Sequence, residues 1–146
     1  VYQRQNCMYV LPIHLGAFFI TILGVIVADI YGLLWVTGKK QTLSGRRLYR
    51  LHTYVSHGLV ASIISGLVLF YPLSEYLLSL PAFLVKIALV LALVINSFVI
   101  GKHMTIATTI PFKDLPKKTK LTLIISGLVS VTAWIGTFVA AQFLNL

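Results

Sequence analysis

Leu51-His52-Thr53-Tyr54-Val55-Ser56-His57-Gly58 opens an apolar stretch that continues to Tyr71 and stops at Pro72. About 20 apolar residues of helix cross a hydrocarbon core of about 30 Å, so this stretch is long enough to span one. Histidine is costly inside a bilayer, and a pair entering one demands a reason. A basic loop, Gly38 to Arg50, stands in front of the pair.

Three further stretches have the same character. The predicted spans cover about 9–36, 48–71, 81–104 and 119–143. Pro12 falls in the first turn of the first, and Pro81 opens the third, both positions where a helix tolerates proline. The segment from Pro72 to Leu80 is a hairpin connection by length, lying at the interface. The expected fold is all-α: one transmembrane domain over residues 1–146, a four-helix bundle running up-down-up-down.

Composition agrees. The 146 residues are 58% hydrophobic and 10% charged, with mean hydropathy +0.94. A soluble domain of this size carries far more charge. The net charge of +9 does not indicate nucleic acid, because the basic residues sit in short loops between apolar stretches. Lys39, Lys40, Arg46, Arg47 and Arg50 lie between spans one and two. Lys102, Lys113, Lys117, Lys118 and Lys120 lie around the junction of spans three and four, and the other side offers Arg4. The positive-inside rule therefore places both loops in the cytoplasm and both termini on the non-cytoplasmic side. The first apolar stretch is too long for the h-region of a cleavable signal. A single cysteine, Cys7, excludes an internal disulfide and a four-thiolate cluster within one chain.

Small residues mark the expected helix contacts. Gly58, Ser62 and Gly66 recur every four residues in span two, and Ser126, Ser130, Ala133, Thr137 and Ala140 form one stripe in span four. Such side chains let backbones approach closely where lipid is as apolar as protein.

The polar residues sort by depth. At 1.5 Å rise per residue, Asp29, His52 and His103 fall roughly 10–15 Å to the cytoplasmic side of centre. His57 and Asn96 lie nearer the middle, and His14 lies on the opposite side. Three readings follow. In the first, which leads, two histidines on different helices at one depth ligate a b-type heme, giving a membrane electron carrier or a subunit of a redox complex. His52 with His103 is the better pair by depth, His57 is the alternate, and Arg47 or Arg50 would pair the propionates. In the second, His14, Asp29 and His57 handle a metal ion or protons, with Cys7 and Met8 as soft ligands suited to copper at the outer end. In the third, the polar groups only set helix register in a structural subunit. Asp29 is expected to face the bundle interior, within direct or water-mediated reach of His57 or Asn96. No nucleophile–base pair, phosphate loop or paired carboxylates mark an enzyme. The expected partners are the lipid bilayer and other membrane subunits or a homo-oligomer, with no nucleic acid.

His14-Leu15-Gly16 opens span one and Asp29 lies near its far end. Ser65-Gly66-Leu67 sits in span two, Pro81-Ala82-Phe83-Leu84-Val85-Lys86 opens span three, and Asn96 and Ser126 through Trp134 follow. In these stretches the chain resembles small bacterial four-helix membrane proteins, similar in layout to copper-resistance protein D-like families. The resemblance implies an integral bundle in a bacterial-type inner membrane and copper handling at its outer face. The chain has fewer helices than the larger copper proteins, and the His52/His57 pair has no counterpart in the pattern.

Overall fold

The computed structural model describes the backbone of residues 2–144 and the side chains of residues 9–144. The elements are α1 (Tyr2–Val36), α2 (Gly45–Phe70), the short α3 (Ser74–Leu78), α4 (Pro81–Thr109) and α5 (Lys117–Gln142). The fold is all-α, and four of its helices are long and apolar enough to cross a membrane.

Local chemistry sets where the helices end. α1 is closed by Gly38, whose φ of 74° only glycine adopts without strain, and whose N–H returns to the Trp35 carbonyl. α2 starts three residues before the predicted Leu48, because Gly45 to Arg47 continue the same helix behind Ser44. The connection after α2 is itself helical. Pro72 supports a 3-10 turn over Tyr71–Leu73, and α3 follows at once. α4 begins with Pro81 in its first turn and runs five residues past the predicted Met104. It stops where Ile110 precedes Pro111, since a residue before proline is pushed out of the helical region; Ile110 has φ −122° and ψ 131°. Pro116 precedes α5.

The helices pack as two hairpins. α1 packs mainly on α2 and α4 mainly on α5, and the hairpins join through α2 and α4. Contacts between α1 and α2 run in opposite senses, from His14 with Ser65 to Tyr54 with the Ile20 carbonyl. α4 and α5 do the same, Leu89 meeting Gly136 and Asn96 meeting Ser126. The small-residue stripes lie at these contacts: Gly58 meets Thr21 and Gly66 meets His14, while all five small residues on α5 are buried.

Two apolar clusters hold the bundle. One joins Phe18, Val25, Leu59, Leu93, Ala133 and Trp134 across the four long helices. The other joins Tyr31, Trp35, Leu43, Ala107 and Leu115 at the end carrying the basic connectors. There Trp35 Nε1 donates to the Ile110 carbonyl and the Leu43 N–H to the Ala107 carbonyl, pinning the first connector to the end of α4. Outside the clusters, each long helix exposes an apolar face, with residues such as Ile20, Ile64, Phe98 and Leu128 more than half exposed. Apolar faces this extensive require lipid or other protein around them.

Candidate functional site

The best-made polar contact inside the bundle is the pair Asn96 and Ser126. Asn96 Nδ2 donates to the Ser126 carbonyl at 3.0 Å, and Ser126 Oγ donates to Asn96 Oδ1 at 2.6 Å. Both residues are buried, and the amide nitrogen and oxygen each find a partner on one residue of the facing helix. Toward the chain termini, His14 sits over Gly66 of α2, with Nδ1 2.8 Å from Ser65 Oγ. Ser65 Oγ also lies 2.8 Å from the Ala61 carbonyl. A hydroxyl has one proton, and with that proton on Ala61 it is His14 Nδ1 that donates to Ser65. Sequence reasoning named His14 without this partner, although Ser65 flanks the small-residue stripe that signals the contact. On the other side of α2, Ser56 Oγ meets Ser97 Oγ of α4 at 3.3 Å.

The residues considered for heme occupy different faces. His52 points at α4, where its Nε2 would lie 3.3 Å from a Cβ at Gly101. The ring rests on the facing backbone, which leaves no width for a macrocycle between the helices at that point. His103 is two residues beyond Gly101, so it points about 160° away from that contact, on the α5 side that it shares with Asn96. Its Nδ1 donates to the Val99 carbonyl at 2.8 Å. His57 is exposed on the outer side of α2, with Nδ1 donating to the Thr53 carbonyl at 2.7 Å. The structure thus does not bring His52 and His103 to one iron position. Arg47 and Arg50 do come together, with Arg46, Ser44, Leu51 and Tyr54, around one open concavity of about 500 Å³. His52 is not among its lining residues.

The residues considered for a metal are also dispersed. His14 and Asp29 are fifteen residues apart on one straight element, about 22 Å along its axis. One ion cannot span them. His57 faces outward on another helix, and the side chains of Cys7 and Met8 lie outside the described ones. Among the described residues, no group of three or more His, Cys, Asp or Glu side chains could hold one ion. Asp29 is half-buried and has no hydrogen-bond partner among the described residues. The expected direct contact with His57 or Asn96 is not formed, for a rotational reason. α2 turns Tyr54, Gly58 and Ser65 toward α1, which carries His57 outward, and the Asn96 amide is taken by Ser126.

Two hydroxyls, Ser62 Oγ and Thr137 Oγ1, are buried without a partner among the described residues. No family model, curated protein or solved structure matches this chain.

Proposed function

We propose that the chain is a structural subunit of a membrane: a four-helix bundle whose internal polar groups set helix register, and whose apolar faces meet lipid, other membrane subunits or further copies of itself. The observation that carries this reading is the reciprocal Asn96–Ser126 pair. A buried amide whose nitrogen and oxygen both bond one residue of the neighbouring helix serves packing. The stretches behind the resemblance to copper-resistance protein D-like bundles support the same reading. His14 meets Ser65-Gly66, and Asn96 meets Ser126, so these motifs have a sufficient explanation as helix contacts. The positive-inside rule puts the two basic connectors in the cytoplasm and the termini across a bacterial-type inner membrane.

One observation favours a second reading, the b-type heme electron carrier. His57 and His103 each tie Nδ1 to the carbonyl one turn back, which leaves Nε2 bare in the neutral ring, the tautomer an axial ligand needs. Because the two face apart, a heme on His57 would have to be shared with another chain or a second copy. Copper handling at the outer face would rest on His14 Nε2 with Cys7 and Met8, without Asp29.

Purification in mild detergent tests these readings together. The structural subunit should show no Soret band when reduced and copper far below one ion per chain, while migrating as an oligomer or with co-purifying membrane subunits. A stoichiometric Soret band, or one copper per chain, would replace it with the heme or the copper reading respectively.

A further inference from the structure

We infer that the concavity at the start of α2 is a binding site for the phosphate headgroup of one anionic phospholipid. Its lining is Ser44, Arg46, Arg47, Arg50, Leu51 and Tyr54, around about 500 Å³. Three guanidiniums on one hollow are more than the positive-inside rule asks, since loop charge alone orients a chain wherever in the loop it sits. Guanidinium forks match phosphate oxygens in pairs. The chain has three acidic residues, Asp29, Glu75 and Asp114, and none lines the hollow. The arginines therefore have no carboxylate there to neutralise them.

The hollow is braced from α1. The Tyr31 hydroxyl accepts the Ser44 N–H at 3.0 Å. The Tyr31 ring lies 5.4 Å from the Arg47 guanidinium carbon and 4.6 Å from Lys40 Nζ, holding Arg47 in place by cation–π attraction. At the other end, the Tyr54 hydroxyl donates to the Ile20 carbonyl at 3.0 Å. Buried Tyr31 thus positions two lining residues, and a pre-positioned site binds at lower entropic cost.

Polarity along the hollow selects a lipid over a free anion. From Ser44 to Tyr54 the lining descends about 15 Å along α2, with Ser44 and the arginines first and Leu51 and the Tyr54 ring last. That order follows a phospholipid from headgroup to upper acyl chain. Free phosphate would use the arginines and leave Leu51 and the Tyr54 ring facing nothing. The inference does not rest on the structural reading, and it competes with the heme reading for Arg47 and Arg50, which that reading gives to the propionates.

Native mass spectrometry of the detergent-solubilised full chain tests this, titrated with phosphatidylglycerol, phosphatidylcholine or inorganic phosphate. One phosphatidylglycerol should be retained in preference to phosphatidylcholine. Arg47→Gln with Arg50→Gln should weaken it by roughly a hundredfold, at roughly tenfold per charged hydrogen bond to phosphate, and Arg50→Gln alone by roughly tenfold. Lys117→Gln with Lys118→Gln removes the same charge from the other connector and should leave binding unchanged. Equal retention of the two lipids would overturn the proposal. So would an equal loss in the lysine variant, which would indicate diffuse charge, or displacement of the lipid by millimolar phosphate, which would indicate a free-anion site. If the double arginine variant fails to fold, the lipid comparison and the phosphate competition on the native chain decide.

Discussion

Thr21 of α1 rests directly on the backbone of Gly58 of α2: a Cβ at position 58 would overlap the Thr21 hydroxyl and methyl groups. Thr21 cannot swing aside freely. It is 2% exposed, β-branched, and its hydroxyl donates to the Ala17 carbonyl at 2.6 Å. Gly58→Ala is therefore expected to destabilise the bundle by about 1–3 kcal/mol through overpacking, measured as thermal unfolding in a fixed detergent. In a Thr21→Gly background the same substitution should cost much less, because the space the new methyl needs is already empty. If Gly58→Ala cost the same in the native chain and in the Thr21→Gly variant, the contact would not set the hairpin.

The glycine side of that contact is legible in the sequence, and its legibility has a physical reason; Thr21 as its partner is not. Gly58, Ser62 and Gly66 repeat at helical spacing within a long apolar stretch, and close backbone approach is what such spacing serves. The spans are legible too, and Pro72 and Pro81 mark where α2 ends and α4 begins. A span ending at Met104, however, falls five residues short of Thr109 because it gives no weight to Pro111, and α1 begins at Tyr2 with Pro12 inside the helix rather than in its first turn. The facing of the histidines is not. Depth follows from counting residues, and angle within one helix follows from the 100° step. The rotation of one helix relative to its neighbour depends on packing along its whole length. His52 and His103 share a depth, yet His52 lies on Gly101 while His103 turns to the α5 side. The arginine hollow is half legible. Arg47 and Arg50 stand out together in the first connector, but the contacts of Tyr31 and Tyr54 that brace them against α1 become visible only once the hairpin is closed.

Asn96 and Ser126 should be energetically coupled. Ser126→Ala removes the hydroxyl that donates to Asn96 Oδ1 but leaves the carbonyl that accepts from Nδ2. Asn96→Leu removes both bonds at once. Interhelical hydrogen bonds in membrane bundles contribute about 0.6 kcal/mol on average and up to about 1.7. Because the hydroxyl–Oδ1 bond is buried and is the one bond that both substitutions remove, a double-mutant cycle on thermal unfolding should give a coupling of about 0.6–1.7 kcal/mol for it. Strict additivity of the two substitutions would mean that the hydroxyl bond does not help fasten α4 to α5, leaving the carbonyl bond alone.

The sidedness of the bundle is open to labelling. With Cys7→Ser as background, Thr42→Cys places one thiol in the first connector, and Lys113→Cys places one in the connector between α4 and α5. Both should resist a membrane-impermeant maleimide on intact cells and react after permeabilisation, because both connectors carry the basic charge that the positive-inside rule retains in the cytoplasm. A thiol at Gln3→Cys, across the bilayer, should react without permeabilisation. Reaction at position 42 on intact cells would invert the proposed orientation.

Asp29 gives the sharpest test of what the polar groups are for. It is the one acidic group of α1, half-buried and without a hydrogen-bond partner among the described residues. Its angular position explains this. His14 and Thr21 mark the face of α1 that packs on α2, and Asp29 lies about 60–80° round from them, at the edge of the packed surface. In a merely structural bundle such a group is a burden, because its carboxylate must be desolvated without a compensating bond. Asp29→Leu should then raise stability by about 1–3 kcal/mol, and Asp29→Asn should raise it less, because the amide still needs partners. A carboxylate that works with a proton or a cation behaves the other way. Both variants would lose the bound species or its transport, and any gain in stability would come with that loss. Thermal unfolding of the two variants, together with metal content and the reduced absorption spectrum, separates the cases. Higher stability with unchanged metal content and spectrum assigns Asp29 to packing, and a stability decrease in Asp29→Leu shows that the carboxylate has a stabilising partner, which would count against the purely structural reading.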